Sequence, residues 1–266
     1  MLLATLGGCA VDADLPQAPA AGSRLDDPAA LEQMRERLSK SGAYETALAF
    51  ALRAARLEPD NTAHWERVHE LAETIGRDEL AEQALRRLAA LDPNHPFLVL
   101  AAAGRLLKQG RIAQAKAELA RLPQTQRPAQ YYRIAGLIAE WEGRGVVARS
   151  LYAEGLNHFP QDPGLLVNLA LSYALADDLA AANDILSQLA DRGGVLQRLA
   201  LRNLVLAAYL AGDPHLAMRL AEEAGLPPAQ RAFFAAVARL SGPARVRALI
   251  TGRLPHKSEA EPTPAG

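Results

Sequence analysis

The residues of this chain that could do chemistry are few: six histidines, one cysteine and scattered carboxylates. His64 and His69 come nearest to a metal pair, because imidazoles four residues apart on a helix converge on one ion. They are five apart, which turns them to different sides, and the sequence between them does not spell His-Glu-x-x-His. Gly143-Arg144-Gly145 has the glycines of a phosphate-cradling loop but neither its lysine nor a preceding strand, so it reads as a turn between two helices. No Gly-x-Ser-x-Gly elbow is present, and Cys9 has no histidine partner implied. The expectation is a chain with no catalytic residue, no metal and no cofactor: not an enzyme.

The elements that would position these residues are strongly periodic. One alanine recurs at Ala47, Ala81, Ala115, Ala148, Ala182 and Ala217, in steps of 34, 34, 33, 34 and 35 residues. Five residues before them stand Gly42, Gly76, Gly110, Gly143, Asp177 and Gly212, suited to a tight turn between antiparallel helices. Sixteen before them stand Leu31, Trp65, Val99, Tyr132, Leu166 and Leu201, all large and apolar. Twelve after come Pro59, Pro93, Arg127 beside Pro128, Pro160 and Gly194, which close the second helix of each pair. A small residue is needed where two helices cross closely, and larger ones fill the space on either side.

This period and pattern resemble the tetratricopeptide repeat (TPR) family over roughly residues 28 to 228. Residues 62–95 match it best, through Trp65, Val68, Gly76, Ala81, Leu85 and Pro93. The resemblance implies an all-α fold, a right-handed TPR superhelix of about six helix-turn-helix repeats. Their expected bounds are 28–61, 62–95, 96–128, 129–162, 163–197 and 198–228. Repeat three departs at its end, where Leu122-Pro123 arrives early and the stretch to Pro128 is loop-like. Past Pro227-Pro228, residues 229–252 read as C-terminal capping helices, with Phe233, Phe234 and Val237 at packing spacing, because the last repeat otherwise exposes its apolar face. Residues 10–27 read as a flexible tether and 253–266 as a disordered tail.

Composition bounds the partners. Of 266 residues half are hydrophobic but only 5% aromatic, and 29 basic residues stand against 30 acidic ones for a net charge of −1. Without a clustered positive surface, nucleic acid is not an expected partner, and no small-molecule substrate is expected. No apolar run reaches the length of a membrane span, and no β-branched runs bounded by turn signals point to a sheet.

Cys9 follows Leu6-Gly7-Gly8, which resembles the lipobox of bacterial lipoproteins. That resemblance implies lipidation at Cys9, with residues 1–9 the remnant of a signal peptide whose start lies upstream. The other reading is a lone cysteine in a disordered leader. Ala10 after the cysteine, by the family rule, implies sorting to the outer membrane, with the chain held at the periplasmic face through lipid alone. If the lipobox is not used, a cytoplasmic location follows.

The first helices of TPR pairs line a groove, and the phase projects its residues. In repeats one and two these are Glu32, Glu36, Lys40, Glu66, Glu70 and Glu73, a mainly acidic end that also reads as a solvated face. In repeats three to six the partner-binding positions are Phe97, Leu100, Leu107, Arg133, Leu137, Trp141, Val167, Leu171, Arg202, Leu206 and Tyr209, with Leu175 and Leu210 beside them. So apolar a surface fits three arrangements: a groove for an amphipathic partner helix, tight coiling that buries these residues within the array, or self-filling by residues 229–240.

Asn168-Leu169-Ala170-Leu171-Ser172-Tyr173-Ala174-Leu175-Ala176 is echoed by residues 203–213, and Leu226-Pro227-Pro228-Ala229-Gln230-Arg231-Ala232-Phe233-Phe234 follows. Together with the lipobox these stretches resemble the TadD-like TPR lipoproteins of the tight-adherence (Flp) pilus system. The resemblance implies an outer-membrane lipoprotein that assists assembly of the pilus secretin, with the secretin or another assembly component as protein partner. A pilotin-like TPR lipoprotein of type IV pili, a soluble TPR chaperone or adaptor for an exported protein, and a structural adaptor to a cell-wall enzyme are the other readings.

Overall fold

The computed structural model describes residues 27–255. Cys9, the leader around it, the tether up to residue 26 and the tail from His256 lie outside the described residues. Two compact units divide the chain, one ending at Pro93 and the other beginning at Asn94. The first holds α1 (Pro28–Ser41), α2 (Tyr44–Leu57), α3 (Thr62–Thr74) and α4 (Asp78–Leu91). The second holds α5 (Pro96–Lys108), α6 (Ile112–Leu119), α7 (Ala129–Trp141), α8 (Gly145–His158), α9 (Pro163–Leu175), α10 (Leu179–Ala190), α11 (Gly194–Leu210), α12 (Pro214–Glu223), α13 (Pro228–Arg239) and α14 (Gly242–Thr251). No strand occurs among the described residues.

The turn inside each of the first six pairs is one device repeated. The amide just past the left-handed turn residue donates back to the carbonyl of the fifth residue before it: Ala43 to Leu38, Arg77 to Ala72, Arg111 to Leu106, Arg144 to Ala139, Asp178 to Tyr173 and Asp213 to Ala208, at 2.8 to 3.0 Å. That closure needs a left-handed residue in between, where a Cβ is costly. Glycine supplies it five times, and Asp177, at φ 61°, does so in the fifth pair. First helices are started by side-chain caps: Asp27 accepts from the Ala29 amide and Asn61 from Ala63, while Asp162 accepts from Leu165. Each removes one of the unpaired donors of a helix N-terminus.

All six recurring alanines are buried. They mark the crossing points of helix pairs, where a larger side chain would push the axes apart. The fourth pair uses a further variation. Gly136 and Gly155 are small because tyrosines occupy their space: a Cβ on Gly136 would lie 2.1 Å from the Tyr152 ring, and one on Gly155 2.8 Å from Tyr132 Cβ. In the fifth pair Leu165 is fully buried and the projected Leu166 only half so, a slip of one residue at the start of α9.

Three elements depart from the expected spacing. Helix α6 has only eight residues, after which Leu122 tucks into the core and a short 3-10 turn, Gln124–Gln126, leads to α7. Helix α11 begins at Gly194, four residues before the projected boundary at 198, because Gly193 and Gly194, both at positive φ, reverse the chain. The C-terminal helices do more than cap. Helix α13 packs on α11, burying Phe234 and Val237 with Val205, Leu206, Ala217 and Ala221, while α14 turns back to lie against α5 and α7.

Candidate partner-binding face

In the second unit the first helices α5, α7, α9 and α11 pack in sequence, each against the next. Five of the eleven projected binding positions are buried there: Phe97, Leu100, Leu107, Val167 and Leu206. Their neighbours fit the arrangement in which coiling buries these positions within the array. Leu100 and Leu107 share a core with Ala115, Leu119, Ile134 and Ile138; Val167 packs with Leu186, Leu189 and Ala200; Leu206 packs with Val205, Phe234 and Val237. On a helix packed on two sides, the phase of a single repeat leaves no wide open stripe.

The other positions are more accessible. Leu137, Trp141, Leu171 and Tyr209 are half-buried. Arg133 is also half-buried, its Nε 4.0 Å from Asp162 and its stem lying over Gly164. Arg202 is exposed but engaged by α13: its guanidinium stands 6.0 Å from the Phe234 ring centroid and donates to the Gln230 side-chain oxygen at 2.9 and 3.1 Å.

Helix α14 lies on this face. Ile250 packs against the α5–α7 core together with Leu137 and Trp141, and the Arg247 guanidinium stands over the Trp141 ring at 5.6 Å. That distance suits a cation–π contact. Ala248, fully buried, and Leu249 join the core of α11 and α13. The bend between α13 and α14 is fastened by Arg245, which donates to the carbonyls of Leu240 (2.7 Å) and Ala238 (3.2 Å), open acceptors at the end of α13.

Beside α14 is a cavity of about 340 Å³ lined by Glu140, Ser172, Arg149, Arg245 and Val246 among others. Glu140 is buried and accepts a short hydrogen bond from the Ser172 hydroxyl, with Arg149 Nη1 3.4 Å from the Ser172 carbonyl. Burial pushes the Glu140 carboxyl above its usual range, and the Ser172 hydrogen bond and the Arg149 charge pull the other way. Burial, and then the Glu140 charge, likewise push the Tyr152 phenol up. The cluster ties α7 to α9 through the Ser172–Glu140 hydrogen bond and α8 to α9 through Arg149. Sequence reading missed it. Its signal is a carboxylate between Ala139 and Trp141 with a serine 32 residues on, close to one repeat away.

The acidic end of the first unit is internally paired. Arg35 holds Glu32 by two hydrogen bonds of 2.6 and 2.8 Å, which lower its carboxyl pKa, and Arg67 lies 3.1 Å from Glu70. Lys40 pairs with Glu36 at 2.6 Å. The histidines of α3 are built in: His69 Nδ1 is 3.1 Å from the Ala81 carbonyl, and His64 Nε2 is 2.8 Å from Glu58. Among the described residues no three metal-ligating side chains gather, and no helix is long and apolar enough to cross a membrane.

No family model matches the chain. A stretch of 101 residues is 37% identical to the probable biofilm formation methyltransferase WspC of Pseudomonas putida, covering 38% of this chain and 24% of that protein. Another of 120 residues is 28% identical to the cellulose synthase 1 operon protein C of Komagataeibacter xylinus, covering 44% and 9%. The chain therefore spans a quarter or less of the curated relatives it matches. Among solved structures, a tetratricopeptide repeat protein from Parabacteroides merdae superposes with a TM-score of 0.53 at 13% identity, over 78% of this chain and 82% of that one. The type IV pilus biogenesis factor PilW superposes at 0.48 and 19% identity, over 76% and 93%. The chain has the tetratricopeptide repeat fold.

Proposed function

We propose that this chain is a non-enzymatic TPR scaffold that holds a helical segment of a protein partner against the first helices of its second unit. The observation that carries the proposal is that this face already accommodates a helix: α14 packs Ile250 on the same α5–α7 core as Leu137 and Trp141 and sets Arg247 over the Trp141 ring. Apolar anchors spaced along a helix and received by a groove are a recurring mode of peptide recognition.

In the cell the scaffold is an outer-membrane lipoprotein that assists Flp pilus secretin assembly. Support for this comes from the sequence: the lipobox-like Leu6-Gly7-Gly8-Cys9 and the resemblance of residues 168–176, 203–213 and 226–234 to TadD-like lipoproteins. Stable anchoring needs more than one acyl chain, and a tethered binding face raises the effective concentration of its partner at the membrane.

Two measurements test this. The chain, expressed from its reading frame extended upstream in a Gram-negative host, is labelled with palmitate beside a Cys9→Ser control; label lost only in the control supports the anchor, and no label in either removes the outer-membrane reading. Purified secretin is then offered to the chain and to a Leu137→Glu/Trp141→Glu variant. Retained helical content with lost binding is expected; equal binding overturns the assignment of the face.

A further inference from the structure

The strongest unassigned feature is the way α14 occupies the face on which the proposed function rests. Its seating residues form a pattern: Val246, Leu249 and Ile250 stand at i, i+3 and i+4, with Arg247 between them. Val246 lines the Glu140 cavity, Leu249 joins the α11–α13 core and Ile250 the α5–α7 core, while Arg247 covers Trp141. One short helix thus touches a polar pocket, two apolar patches and an aromatic ring. Those contacts describe the chemistry the face accepts.

The helix is also lightly held. It has ten residues, a length at which an isolated helix is marginal in water, and Ala248 is its one fully buried residue. Helix α11, by contrast, buries Ala200, Leu201, Asn203, Val205, Leu206, Ala207 and Ala208. The link to α13 is the short Leu240–Ser241 stretch, where the cap hydrogen bonds of Arg245 stay within the C-terminal segment. Releasing α14 from α5 and α7 leaves them intact.

We propose that α14 is a built-in occupant of the second unit's first-helix face, and that the partner is a short amphipathic helix of the same chemistry: apolar residues at i, i+3 and i+4 with an arginine that stacks on Trp141. The partner displaces α14 to bind. An occupant seated most of the time reduces apparent affinity by the fraction of molecules in which the face is free.

The test uses a fluorescein-labelled peptide of residues 241–254 as probe, with the full chain and with a full chain in which Ala248→Asp and Ile250→Asp release α14. The released variant is expected to bind the peptide at least about tenfold more tightly than the unaltered chain, and adding Trp141→Ala to it is expected to weaken that binding. Equal binding by both chains, or by neither, overturns the proposal. Native-state amide exchange on the unaltered chain is the second measurement, should the double variant unfold. Exchange in α14 well ahead of α5 to α12 is expected, and exchange of α14 together with them overturns it. If the peptide fails while Leu137→Glu/Trp141→Glu still abolishes secretin binding, this inference falls and the scaffold reading stands. If the peptide binds and those replacements change nothing, the scaffold reading falls instead.

Discussion

Gly136 lacks a side chain because the Tyr152 ring takes its space, and that exchange of volumes sets how closely α7 and α8 cross. A methyl group there meets a ring with no free volume around it, since Tyr152 is itself fully buried. Gly136→Ala is expected to destabilise the second unit by about 1 to 3 kcal/mol through overpacking, read as a lower urea midpoint; an unchanged midpoint would mean that the ring moves aside freely. Glu140 is the other residue whose surroundings set its behaviour. Burial raises its folded-state pKa above the unfolded value, so the native state binds this proton more tightly. Its contribution to stability is full below the ordinary carboxyl range and is lost as pH rises through the folded pKa. Glu140→Gln keeps an acceptor for Ser172 and removes the ionisation, so its stability gain over the unaltered chain should be larger at about pH 7 than at about pH 4. Denaturation midpoints of the two proteins at both pH values check it, and a difference independent of pH would show that Glu140 titrates as in the unfolded chain.

Helix ends are where this fold could be read from sequence and where the reading stopped. The six turns inside the pairs were legible because a left-handed residue is a local need, met by a glycine or, once, by Asp177. The buried alanines were legible for the same reason, since each follows its turn at a fixed distance. What depends on distant neighbours was not. The choice among open groove, coiling and self-filling at Leu100 and Val167, the use of Tyr152 beside Gly136, the Glu140–Ser172 pairing and the return of α14 to α5 and α7 are tertiary choices that no local period records. Caps carry measurable energy. Asp162 accepts from the Leu165 amide at 2.8 Å and precedes Pro163 at the first helical position, so Asp162→Ala is expected to cost about 1 kcal/mol. Asp162→Asn, which keeps the acceptor and removes the charge near Arg133, should cost less, and equal losses in chemical denaturation would assign the effect to the ion pair instead.

At the scale of the whole molecule the chain divides into a four-helix unit ending at Pro93 and a ten-helix unit beginning at Asn94. Each has an apolar core of its own: that of the first is built from Ala47, Leu48, Ala51, Val68, Leu71 and Ala84, and those of the second from residues of α5 onward. In repeat proteins stability grows with the number of stacked units, because each added pair contributes an interface as well as its own helices. Two pairs should therefore be markedly less stable than four pairs closed by α13 and α14. The sequence supplies a reporter for each unit, since its two tryptophans fall one on either side of the division, Trp65 in α3 and Trp141 in α7. Chains carrying Trp65→Phe or Trp141→Phe then report one unit at a time. The transition followed through Trp65 is expected at lower urea, and with a smaller denaturant dependence because less surface is exposed, than the one followed through Trp141. Coincident transitions would instead make the whole chain one cooperative unit, in which a change at the α14 face is felt as far as Glu32.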